Sequence, residues 1–145
     1  MTIQVIRPCG IAIRERSILV MRYQYGQNDR FNLPGGNLEP DESLHDCLLR
    51  EFREELHWTI TPQELIHVAE TRTDRSTLHL VFRVAFTGEP CLDPQQVKAT
   101  ELLWLPMHTL ASAPLYPAIG PELAAWMAGN PAPVHLGRIE QPWFQ

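Results

Sequence analysis

Three glutamates, Glu51, Glu54 and Glu55, stand within one turn of a segment that reads as helix, Arg50-Glu51-Phe52-Arg53-Glu54-Glu55. Positions three and four apart are neighbours on a helix, so Glu51 faces both of the others and the carboxylates repel one another. A helix that needed only solubility would carry lysine or arginine at those spacings, whereas a divalent cation among the acids removes the repulsion. Carboxylate oxygens are hard ligands. They suit magnesium, manganese or calcium, magnesium in particular with manganese as a substitute, and fit zinc poorly where no cysteine or histidine stands at ligand spacing. An ion shared between carboxylates and phosphate oxygens neutralises a diphosphate and lowers the pKa of a bound water, so the chemistry suggested is hydrolysis of a phosphoanhydride. The competing explanation is a solvated acidic face, partly paired with Arg50 four residues from Glu54.

What weighs against that explanation is the surrounding pattern. Pro34-Gly35-Gly36 is a breaker that must be loop, and its glycines let a backbone approach a ligand closely. Glu42 follows six residues after Gly36, and Pro40-Asp41-Glu42-Ser43 gathers the signals of a helix start. A glycine pair, a spaced glutamate and Arg-Glu-x-x-Glu-Glu resemble the signature of the Nudix hydrolases, with Gly36, Glu42, Arg50, Glu51, Phe52, Glu54, Glu55 and Trp58 at matching positions. His57 stands where the signature has glycine. A glycine would suit a left-handed turn ending the helix, a conformation histidine adopts at a cost of roughly 1 kcal/mol.

The resemblance implies an α/β/α sandwich with a mixed central sheet and a loop-helix-loop metal site, occupied by one Nudix-like domain over residues 1–145. It implies hydrolysis of a diphosphate linkage in a nucleotide or nucleoside-diphosphate conjugate. By position, Glu51, Glu54 and Glu55 would be metal ligands, joined by the carbonyl of Gly35. Arg50 would orient a glutamate of the cluster, and Glu42 would stabilise the loop and helix start. The catalytic base would be a signature glutamate, Glu54 or Glu51, or one from a later loop, for which Glu101 is the candidate. Tyr23, Tyr25, Phe31 and Arg30 lie in segments that could line a cleft, the aromatic rings as stacking surfaces for a base and the arginine as a phosphate contact. Two other readings keep the fold: a sensor that binds a nucleotide without turnover, toward which only His57 leans, and an isoprenoid diphosphate isomerase, which would want a nucleophilic cysteine such as Cys47 in the cleft.

The elements that must position these residues follow from pattern. Ile3 to Ile13 and Ser17 to Tyr23 flank the turn Arg14-Glu15-Arg16 and read as a hairpin. A helix is expected from about Ser43 to His57, with Leu44, Leu48, Phe52 and Leu56 as its buried stripe. Leu65 to Glu70 and Leu78 to Phe86 read as strands, as does Leu102 to Leu105. Leu123 to Met127 reads as a second helix after a break at Gly120-Pro121, and Val134 to Ile139 as a last strand. Strands around a central helix indicate an α/β or α+β sandwich with a mixed sheet.

At 145 residues with 44% hydrophobic content the chain suits one domain with one sizeable core. A net charge of −5 argues against a protein that grips long nucleic acid through a basic face, but not against a small nucleotide substrate. No run approaches the roughly 18 apolar residues of a membrane helix, and nothing near Met1 reads as a signal peptide. Three scattered cysteines, Cys9, Cys47 and Cys91, read as reduced thiols of a cytoplasmic protein. The exposed first strand and the terminal Trp143-Phe144 are compatible with a homodimer.

Overall fold

The hairpin expected at the N-terminus forms only at its tip. In the computed structural model, which describes residues 2–142, the first strand β1 (Val5–Ile11) ends at Ala12, and a two-residue strand β2 (Ile13–Arg14) turns back onto β3 (Ser17–Tyr25). Glu15 and Arg16 both have positive φ, 48° and 63°, as a tight turn matching strand twist requires. Only Ile13 and Arg14 pair with β3. β1 belongs to a different sheet, so the reading of Ile3–Ile13 as one arm of a hairpin is corrected. Alternating apolar residues state that a segment is a strand but not which strand it pairs with.

The chain continues through β4 (Asn28–Asn32), helix α1 (Leu44–Leu56), β5 (Ile60–Arg72), β6 (Ser76–Phe86), β7 (Glu101–Pro106), a 3₁₀ turn (Met107–Ser112), β8 (Leu115–Tyr116), α2 (Gly120–Met127) and β9 (His135–Arg138). One sheet has the order β1-β6-β5-β9, with β1 parallel to β6, β6 antiparallel to β5 and β9 parallel to β5. The other runs β2-β3-β4-β8, with β7 antiparallel to β3. The outer edge of β1 is not open: Gly10 N–H donates to Pro34 O (2.8 Å), Gly36 N–H to Pro8 O (3.2 Å) and Leu38 N–H to Ile6 O (2.8 Å). The glycine loop thus covers the strand that looked exposed from sequence. Trp143-Phe144 lie outside the described residues.

Two apolar clusters lie on opposite faces. Leu19 and Met21 of β3 join Leu48, Phe52 and Leu56 of α1 in one, while Ile18 and Val20 join Leu110, Ile119 and Leu123 in the other, beneath α2. This alternation along β3 is what a strand buried on both faces must show. The architecture is an α/β/α sandwich. Leu48, Phe52 and Leu56 of the expected stripe are fully buried, and Leu44 packs at its edge. Pro62 sits inside β5 where the pairing with β6 shifts register, so this strand begins before Leu65, the start expected from pattern. Pro121 likewise starts α2 instead of preceding it, because a proline in the first turn forfeits no helical hydrogen bond. All three cysteines are free, and among the described residues no helix is long and apolar enough to cross a membrane.

Candidate active site

Ser43 caps α1, its Oγ accepting the N–H of Asp46 at 3.0 Å, and fixes where the helix begins. The register that follows puts Arg50, Glu51, Glu54 and Glu55 on the turn nearest the glycine loop. Arg50 is the hub of this turn. Its Nε and Nη2 donate to the two oxygens of Glu42 (2.7 and 3.0 Å), Nη1 to Glu51 (2.8 Å) and Glu54 (3.3 Å), and Nη2 also to the Asn37 carbonyl (3.2 Å). The bidentate pair is the strongest of these bonds. It holds the Glu42 carboxyl down at about 2, and Glu42 in turn accepts the N–H of Glu39 at 3.0 Å, closing the loop before the helix.

Glu51 and Glu55 differ from Glu54. The Glu51 side chain is 14% exposed, that of Glu54 45%. Burial raises the pKa of Glu51, and burial together with the charge of Glu51 pushes Glu55 up to about 8. Glu55 Oε1 is shielded from solvent without a hydrogen-bond partner. Among the described residues no three acids or histidines converge on one point, because Arg50 Nη1 lies between Glu51 and Glu54.

The glycine loop is shaped by contact. A methyl group on Gly35 would overlap the Pro8 carbonyl, and one on Gly36 would overlap the carboxylate of Glu51. The two backbone bonds to β1 flank Gly35 and use neither of its own polar groups. Gly36→Ala is therefore expected to keep the fold at a loss of about 1 kcal/mol. Turning Glu51 away from Arg50, it should lower hydrolysis on the order of tenfold to a hundredfold. Melting curves and steady-state rates on the same sample separate the two effects.

His57 takes the left-handed position at the end of α1, with φ 48° and ψ 42°, so the geometry expected of a glycine is retained. Its Nε2 lies 3.0 Å from Asp93, whose N–H donates to the Glu55 carbonyl at 2.8 Å, and Cys91 N–H caps Leu56. Residues 91–93 thus satisfy the helix end that carries Glu55.

The remaining sequence candidates divide by face. Glu101 opens β7 opposite Arg22, and its carboxylate accepts Arg22 Nη1 at 2.6 Å on an exposed edge. Tyr23 is partly buried and feels the charge of Glu55, which with burial pushes its phenol up to about 12. Arg30 donates to Tyr25 (2.9 Å) and Asn32 (3.1 Å). Phe31, next along β4, packs from the opposite face into the cluster beneath α2. Cys47 is buried and its thiol is pushed up to about 12, so it is no nucleophile at neutral pH. An open concavity of about 460 Å³ lined by Ile13, Arg16, Arg83 and Trp126 among others shares no residue with the acid cluster.

Sequence reasoning missed a buried polar group between the sheets. Arg7 Nη2 donates to the Leu33 carbonyl (2.8 Å), and its guanidinium lies 5.1 Å from the Tyr116 ring. Arg30 approaches the same ring at 4.7 Å, and His79 meets it edge-on at 5.1 Å while bonding Thr71 at 2.8 Å. The available signal was a charged or imidazole side chain at an inward strand position: Arg7 two residues before Cys9, and His79 between Leu78 and Leu80.

A two-sheet sandwich whose central helix presents a glutamate cluster beside a glycine loop is the architecture of the Nudix hydrolases. The chain belongs to that family: the NUDIX domain model matches residues 7–127. It is a Nudix-type pyrophosphohydrolase. A CTP pyrophosphohydrolase of Escherichia coli strain K12 is 31% identical over 105 residues, covering 72% of this chain and 76% of that protein. The solution structure of the E. coli ORF135 protein superposes with a TM-score of 0.72 at 27% identity, covering 86% and 89% of the two chains. An ADP-ribose pyrophosphatase from Streptococcus suis, 18% identical with a TM-score of 0.65 over 92% and 97%, shares the fold.

Proposed function

We propose that this chain hydrolyses a phosphoanhydride bond in a nucleoside triphosphate or a nucleoside-diphosphate conjugate, in the cytoplasm, using magnesium, with manganese as a substitute. The observation that carries this reading is the Glu51–Glu55 pair: two carboxylates drawn out of solvent on one turn of the helix, with Glu55 Oε1 shielded and unbonded. Such an arrangement destabilises a bare protein and suits one that takes up a hard cation. Glu51, Glu54, Glu55 and the Gly35 carbonyl would hold the ion. The donor set fits, being all oxygen, and the exposed Glu54 can turn from Arg50 to complete it. Bound there, a divalent ion would neutralise phosphate charge and acidify a coordinated water.

The protein's own groups supply the rest. Arg50 positions Glu51 and Glu54 through its fork. Glu54, the exposed acid of the three, takes the proton of the attacking water as its oxygen bonds to phosphorus and the bridging phosphate oxygen leaves. Glu101 is held by Arg22, which favours Glu54 as the base. Tyr23, which feels the charge of Glu55, would line the approach to the cluster, with Tyr25 and Arg30 following along β3 and β4. The 31% identical relative named for CTP supports a nucleotide substrate.

The test is a panel of nucleoside triphosphates, nucleotide sugars and ADP-ribose with magnesium, products identified by chromatography. A product that appears with wild type, and not with Glu54→Gln or after chelation, is expected. Absence of any such product across the panel rejects the proposal.

A further inference from the structure

The site helix ends on a histidine where a glycine would carry no conformational cost, and the imidazole has a partner there. His57 Nε2 donates to Asp93 Oδ2 at 3.0 Å. The same Asp93 donates its N–H to the Glu55 carbonyl at 2.8 Å, and Cys91 donates its own to the Leu56 carbonyl at 2.8 Å. The other carboxylate oxygen of Asp93 accepts Gln95 N–H (2.9 Å), and its carbonyl accepts the N–H groups of Gln96 (3.1 Å) and Val97 (3.2 Å). Leu92, Val97 and Ala99 pack into the apolar cluster beneath α1. Asp93 thus joins a turn anchored in the core to the last turn of the helix, through backbone and side chain at once.

Glu55 depends on that junction more than the other acids do. Glu51 and Glu54 are held by the Arg50 fork, whereas Glu55 Oε1 is shielded from solvent with no hydrogen-bond partner. Its carboxylate is therefore placed by the backbone of the last helical turn and the packing around it. Final turns fray unless their carbonyls find donors, and here Asp93 and Cys91 supply them. A glycine at position 57 would complete the same left-handed turn but has no side chain to reach Asp93. We propose that His57 and Asp93 are a pair of positioning residues, locking residues 91–97 onto the end of α1 and so fixing where Glu55 presents its carboxylate to a divalent ion. Both act through the Glu55 backbone. This proposal rests on the metal-holding role given to Glu55 in the reading above and deepens it.

The experiment measures manganese affinity by electron paramagnetic resonance of the free ion, and the rise in melting temperature on adding magnesium, for the full chain without nucleotide. Wild type is compared with His57→Gly, Asp93→Ala, Asp93→Asn and the double variant His57→Gly/Asp93→Ala. His57→Gly relieves the left-handed residue, so it should melt within a few degrees of wild type. It should nevertheless bind manganese roughly tenfold more weakly, as for loss of a group that orients a metal ligand, and gain correspondingly less from magnesium. Asp93→Ala should lose a similar factor, and the double variant no more than either single change, because the two side chains act as one unit. Asp93→Asn still accepts Gln95 N–H and can bond the imidazole, so it should recover most of the affinity. Should Asp93→Ala melt early, His57→Gly decides the matter, since glycine suits the turn. Manganese bound by His57→Gly as tightly as by wild type overturns the proposal, because a cap that only stabilises α1 is served equally well by glycine. Losses that multiply in the double variant overturn it too. A wild-type site that Glu55→Gln weakens and His57→Gly leaves intact sinks this inference alone; if wild type binds no manganese, or Glu55→Gln leaves its affinity unchanged, the metal-holding role of Glu55 fails and takes this inference with it.

Discussion

Glu55→Gln is expected to make the metal-free protein more stable in mild alkali while abolishing hydrolysis. In the wild type the Glu55 carboxyl is raised to about 8 by burial and by Glu51, whereas in the unfolded chain it titrates near 4.5. Between those values the folded state holds a proton that the unfolded state has released, so stability falls as pH rises from 4.5 to 8 and levels off above. Glutamine is neutral at every pH and can donate its amide to Glu51 as the protonated acid does. Its melting temperature should therefore lack this decline, and above pH 8 the variant should melt higher by on the order of 5 °C. The other titrating groups are common to both proteins, so the difference curve isolates the coupled pair Glu51 and Glu55. Adding magnesium reverses the order: wild type gains stability by linkage and the variant gains little. Hydrolysis should fall roughly a hundredfold or more with loss of a metal-holding carboxylate. Parallel melting curves across pH 5 to 9, with the magnesium response intact in the variant, would remove Glu55 from the site.

The site helix was legible because its signals are local. Ser43 and Asp46 lie within the first turn, the stripe Leu48, Phe52 and Leu56 repeats every fourth residue, and the acids share one face. Even the departure at His57 could be weighed beforehand, since the conformation required there follows from where the helix ends. What the sequence did not show was the partner of His57. Asp93 lies in a loop whose course is set by Leu92 packing on the α1 cluster and by Cys91 and Asp93 bonding the helix end, none of which periodicity reports. Nothing in the α1 geometry favours a silent sensor, because His57 keeps the left-handed cap.

Sheet membership was illegible for a related reason. β1 and β6 are parallel neighbours far apart in the chain, and parallel pairing leaves no turn between the strands to mark it. The error at Ile3–Ile13 concealed the buried polar group, since Arg7 meets His79 only through that pairing. Strand alternation did carry partial information: Arg30 and Phe31 are adjacent, so they cannot share a face, and the structure sends Phe31 to the core beneath α2 and Arg30 toward Tyr25. Short elements such as Leu115–Tyr116 lie below what pattern can resolve, yet Tyr116 sits at the centre of the polar group.

Arg50→Met should cost both stability and activity, by different routes that pH separates. The Arg50 side chain is 21% exposed and answers Glu42 and Glu51, which are 12% and 14% exposed. Removing it leaves two largely buried carboxylates without their cation, a loss of about 3 kcal/mol by comparison with broken buried pairs. The Glu42 carboxyl, held at about 2 by Arg50, contributes stability that is complete above its unfolded value of 4.5 and lost as pH falls through 2. The gap in unfolding free energy between wild type and variant should therefore be widest near neutrality and shrink from pH 4.5 downward. Activity should fall further than stability explains, because Glu51 and Glu54 lose the fork that orients them, and Arg50→Lys should recover much of the stability but little of the rate. Denaturant titrations at pH 7 and pH 3, with rates measured where each variant is fully folded, give both quantities. A gap unchanged between those pH values would mean that the Arg50–Glu42 bond is not what closes the loop onto the helix.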